Sequence, residues 1–104
     1  MVQTLRHYVE KEWFPHHVIE AKTRENYTYI LNRYILPELG SMRMVGILPG
    51  HVREWVGALQ SHHDARPPTI RECKVVLNAI FTTALNDQAT FLHPGKGVRT
   101  PPVA

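Results

Sequence analysis

Arg71, Lys74, Val75, Asn78 and Thr82 fall at i, i+3, i+4, i+7 and i+11, so a helix would carry all five on one face. Guanidinium and ammonium groups meet phosphate oxygens or guanine edges, and a carboxamide meets adenine. The chemistry such a face can do is reversible binding of a polyanion. It is repeated upstream, where Lys22, Thr23 and Arg24 open a second helical segment whose outer turns add Asn26, Thr28 and Arg33. The N–H groups and dipole of a helix start make it a natural phosphate site. Arg66 and Thr69 stand in the same way ahead of Arg71. By pattern alone, a solvated helix face is the more ordinary reading, because every such face needs polar residues.

No cluster with the spacing of a catalyst accompanies these cations. Seven histidines are present, but His16–His17 and His62–His63 are adjacent pairs, and neighbours on a helix point apart. There is no HExxH, and one cysteine cannot build a structural zinc site. Cys73 falls on an apolar stripe, where a thiol behaves as a small hydrophobe. Glu10 and Glu12 diverge on a helix, and "GKG" at 95–97 lacks the spacing of a phosphate loop. By elimination the chain reads as a binding or scaffolding module, not a self-sufficient enzyme, and no metal or cofactor is expected.

Charge supports the same reading. The net charge is +3 over 104 residues, and the excess sits in two blocks. Residues 22–53 carry Lys22, Arg24, Arg33, Arg43 and Arg53 against Glu25 and Glu38. Residues 66–104 carry Arg66, Arg71, Lys74, Lys96 and Arg99 against Glu72 and Asp87. Two basic blocks suit a polyanion, although mild basicity is common without one. A single cysteine fits a reducing compartment, so a cytoplasmic location is expected. No apolar run is long enough to cross a membrane, and the first twenty residues are not those of a secretory signal.

Four segments with helical periodicity must position the cations, and none alternates like a strand. The first is "TLRHYVEKEWF", capped by Thr4, with Leu5, Tyr8, Val9 and Trp13 inward, and ended by Pro15. The second is "TRENYTYILNRYILPELG", capped by Thr23, with Tyr27, Ile30, Leu31, Tyr34 and Ile35 inward. Pro37 should stop it, since the residue before a proline is pushed out of the α region. The third is "PGHVREWVGALQ", with Val52, Trp55, Val56 and Leu59 inward. Leu48 is a poor cap, so a frayed start is expected. Met44 and Ile47 should plug the core from the loop before it. The fourth is the longest, "PPTIRECKVVLNAIFTTALNDQ", with Ile70, Cys73, Val76 or Leu77, Ile80, Phe81, Ala84 and Leu85 inward. The result is an all-α, compact four-helix domain. Among the aromatics, Tyr8 and Tyr29 have some chance of exposure. The tail "HPGKGVRTPP" can neither continue a helix nor enter a sheet.

Those segments, in that order, resemble the N-terminal core-binding, SAM-like domain of phage integrases in the tyrosine recombinase superfamily. The family's T-x-x-x-Y opening is matched by Thr23 and Tyr27. Its I-L-P-x-L-G close is matched by Ile35, Leu36, Pro37, Leu39 and Gly40. Its T-I…L-x-x-I-F-x-x-A helix is matched by Thr69, Ile70, Leu77, Ile80, Phe81 and Ala84. The exit N-P-x-x-x-V-x-x-P is matched by "HPGKGVRTP", with His93 in place of Asn.

The resemblance implies a four-helix SAM-like bundle over residues 1–92, and a linker over 93–104 toward a separate C-terminal catalytic domain. It implies a partner, double-stranded DNA at a core recombination site, gripped by one half of a clamp. It also implies a whole protein that breaks and rejoins DNA through a tyrosine without added cofactor. The catalytic residues would lie in that other domain, so no catalytic residue is expected here. The expected DNA-binding set is Lys22, Thr23, Arg24, Arg33, Arg66, Thr69, Arg71, Lys74 and Asn78. The isolated domain is expected to be monomeric. Two alternatives stay open: a helical protein–protein module, and a DNA-binding regulator without recombination. An exposed apolar patch on the third helix would favour the first.

Overall fold

Thr4 begins the fold as expected, its Oγ1 accepting the His7 N–H at 3.1 Å. The computed structural model describes residues 3–102. Helix α1 runs Leu5–Tyr8 and continues as a wider π turn over Val9–Trp13. Its first two N–H groups have no intrahelical partner. Leu5 instead donates to the Met42 carbonyl and Arg6 to that of Gly40. The loop after the second helix therefore caps the first.

Helix α2 runs Ala21–Ile30, passes through a π turn at Leu31–Ile35, and resumes over Leu36–Leu39. Two expectations are corrected here. The helix starts two residues before Thr23, with Glu20 in the extended cap position. Nor does Pro37 stop it. A proline ring normally clashes with the carbonyl four residues back. The Leu36 N–H reaches five residues back to Leu31, and this wider register lets the helix run on through the proline. The Trp55 indole N–H donates to the Tyr34 carbonyl at 2.7 Å, supporting the disturbed stretch from α3.

Helix α3 is Pro49–Ser61 and buries the four predicted residues, Val52, Trp55, Val56 and Leu59. Its start is better capped than Leu48 suggested, because His51 Nδ1 accepts the Leu48 N–H at 3.0 Å. Met44, in a short 3-10 turn over Met44–Gly46, and Ile47 are buried as expected. Helix α4 is Pro67–Asn86. It closes with Gln88 at φ 59°, while Ala89 N–H bonds to Ala84 and Gln88 N–H to Leu85. This double bond pattern is the Schellman cap, here with glutamine where glycine is usual.

The four helices share one core, from Leu5, Tyr8 and Trp13 through Ile35 and Trp55 to Leu77, Ile80 and Phe81. No strand occurs among the described residues beyond an isolated bridge between Thr4 and Arg43. Tyr8, thought able to reach the surface, is buried, and its hydroxyl donates to Asp87 Oδ2 at 2.7 Å, joining α1 to the end of α4. Burial pushes the Cys73 thiol up to about 12, so it stays protonated and inert at neutral pH.

Candidate nucleic-acid interface

Helices α2 and α4 lie side by side, and the Asn26 carboxamide donates to Glu72 Oε1 at 2.8 Å between them. An open groove of about 570 Å³ runs along this junction, lined by Lys22, Thr23, Glu25, Asn26, Tyr27 and Glu72. On α2 the positions 22, 26, 29 and 33 follow the helical period, so Lys22, Asn26, Tyr29 and Arg33 form one stripe. All four are exposed. On α4, Arg71, Val75 and Thr82 are exposed along the matching face. Arg66 is exposed at the cap position of α4, with Thr69 half-buried in its first turn.

Three members of the expected set are bonded within the domain or covered by it. Lys74 is only 7% exposed. Its Nζ donates to the Gly95 carbonyl at 2.7 Å and to the Val98 carbonyl at 3.0 Å. Burial lowers its pKa. The helical period placed Lys74 outward, but residues 93–98 return over that flank of α4 and cover it. Asn78 lies one turn on, half-buried, with its Oδ1 buried and unpartnered. A Cβ added at Gly95 would sit 2.6 Å from that oxygen.

Arg24 is the third. Its guanidinium donates to the carbonyls of Phe14, at 2.9 Å, and His17, and lies 4.5 Å from the centre of the Phe14 ring. It ties the loop between α1 and α2 in place and is not free for a phosphate. The exposed members that remain are Lys22, Arg33, Arg66 and Arg71, with Thr23 and Thr69 half-buried beside them. Glu25 and Glu72 in the groove offset part of their charge.

In the sequence Tyr29 is marked only by a chance of exposure. It is 56% exposed, between Asn26 and Arg33 on the α2 stripe, and makes an edge contact with Tyr34 at 6.0 Å. The signal was its register: position 29 falls among polar positions, not on the inward stripe of Ile30, Leu31 and Tyr34.

The phage integrase, N-terminal SAM-like domain family matches residues 4–60, more than half of the chain. The chain belongs to this family. Solved structures agree on the fold of the SAM-like domain. The integrase-like domain from Bacillus cereus superposes with a TM-score of 0.87 at 20% identity, over 96% of this chain and 85% of that one. The phage integrase SAM-like domain from Moorella thermoacetica gives 0.79 at 18% identity, over 98% and 88%. The Tn1549 transposon integrase, solved in complex with a circular intermediate DNA, gives 0.72 at 21% identity. The SAM-like domain covers 34% of that longer chain. No curated protein sequence matches. No described helix is long and apolar enough to cross a membrane.

Proposed function

We propose that this SAM-like domain binds double-stranded DNA at a core recombination site, as the non-catalytic half of a tyrosine recombinase clamp. The supporting observation is the paired face of α2 and α4. Lys22, Asn26, Tyr29 and Arg33 on one helix adjoin Arg71, Val75 and Thr82 on the other, all exposed. Cations on such a face hold phosphates, while Arg71, Asn26 and the apolar Tyr29 and Val75 have the chemistry to meet base edges. The DNA held by the Tn1549 integrase fits the same reading. In the whole protein, residues after Val98 would lead to a catalytic domain carrying the nucleophile.

A protein–protein role has less support. Among the described residues the exposed large apolar side chains are Val18, Tyr29, Val45, Leu48, Val75, Phe91 and Leu92, and none of them lies within α3. Titration of a duplex across salt concentrations tests the proposal. Binding that is insensitive to salt contradicts it.

A further inference from the structure

We infer that Lys74 is a positioning residue: it clasps residues 93–98, a turn closed on itself by His93, onto α4 and so fixes where the chain leaves the domain. The tail composition suggests a free linker, yet Pro94 and Gly95 are buried. The segment has little regular backbone bonding of its own. Lys96 N–H bonds to the His93 carbonyl at 3.2 Å and Val98 N–H to that of Gly95 at 3.2 Å. Gly95 N–H donates to His93 Nδ1 at 3.2 Å, and the His93 ring lies 6.0 Å from Phe81. One ammonium then donates to both ends of the turn, the carbonyls of Gly95 and Val98.

The sequence is fitted to this clasp at two glycines. Gly97 holds φ +82°, a left-handed conformation that disfavours a side chain. Gly95 passes so close to α4 that a Cβ would meet Asn78 Oδ1 at 2.6 Å and Lys74 Cε at 3.3 Å. A buried ammonium with two carbonyl partners is costly to leave unpaired, so the clasp holds the turn in one path. The clasp concerns this chain alone. Its use in aiming a following domain rests on the function proposed above.

The test uses Lys74→Met, which keeps the stem and removes the charge, and Gly95→Ala, which disrupts the turn and leaves Lys74 intact. Amide exchange at Lys96 and Val98, and trypsin cleavage after Lys96 and Arg99, report the turn. Both variants are expected to speed exchange and cleavage about tenfold, while the α4 core amides keep their protection. Turn protection equal to wild type in Lys74→Met would overturn the clasp. Duplex titration of the same variant separates the two proposals. Unchanged affinity with a released turn supports the clasp even if Arg71→Ala also binds normally and the DNA reading fails. Lost affinity with an intact turn would return Lys74 to the DNA face and overturn the clasp.

Discussion

The Asn26 carboxamide and the Glu72 carboxylate meet at 2.8 Å across the junction of α2 and α4. This bond places a carboxylate in the middle of the face whose cations are Lys22, Arg33, Arg66 and Arg71. It holds the two helices in register, and its charge opposes a polyanion.

Glu72→Gln removes that charge and keeps a carbonyl that can still accept from Asn26. Duplex affinity should rise by about 0.2–1 kcal/mol, the size of an exposed charge interaction. Fluorescence anisotropy at low salt checks it, and affinity unchanged in the variant would place the duplex away from this junction.

Four exposed cations contact about three to four phosphates if one duplex lies on both helices. The slope of log K against log salt should then be about −2.7 to −3.6. Isothermal titration at several salt concentrations measures it. Affinity near physiological salt should be about micromolar or weaker, because one half of a clamp makes few contacts.

Trp55 fills the core, being 2% exposed, and its indole N–H supports the Tyr34 carbonyl beside the π turn of α2. Trp55→Ala should cost about 3–5 kcal/mol. Trp55→Phe keeps much of the bulk and loses the hydrogen bond, for which about 0.5–1.5 kcal/mol is expected. Urea denaturation of both variants separates packing from hydrogen bonding.

His17 stacks on Trp13 at 4.6 Å and on Tyr27 at 5.9 Å. Burial, and then the Arg24 charge, lower its pKa below the ordinary 6.5. The unfolded chain therefore binds the proton at higher pH than the folded one. Stability should be complete above about pH 6.5, fall as pH drops below that value, and level off once the folded form is also protonated. His17→Gln should flatten this part of the profile, as read by thermal unfolding between pH 7.5 and 4.5.

Much of the fold was legible because local periodicity set it. The inward stripe of α3 and that of α4 as far as Ala84, the Thr4 cap and the plugging of the core by Met44 and Ile47 follow from residue type and spacing, while Leu85, expected inward, is only half-buried. The misreadings have non-local or geometric causes. Pro37 is a helix breaker in an ideal α-helix, and only the π turn before it allows continuation. Lys74 and Asn78 lie on the polar side of the α4 wheel, but residues 93–98 return to cover them, and no helical period encodes that contact. Arg24 reads as a phosphate ligand until the Phe14 and His17 carbonyls are brought beside it. Lys22, Arg33 and Arg71 lie at the surface where the helical period puts them, Arg33 with its Nε donating to the Tyr34 hydroxyl at 3.4 Å.

The most direct measurement is a duplex titration comparing wild type with Lys22→Ala, Arg33→Ala, Arg71→Ala and the remote control Glu12→Ala. Loss of any of the three cations should weaken binding and flatten the salt slope by about one unit. Arg71→Ala should also reduce the preference for cognate over scrambled duplex, since its planar fork can read a guanine edge. Glu12→Ala should bind at least as well as wild type. If the three cation variants bind as Glu12→Ala does, the α2–α4 face does not hold DNA.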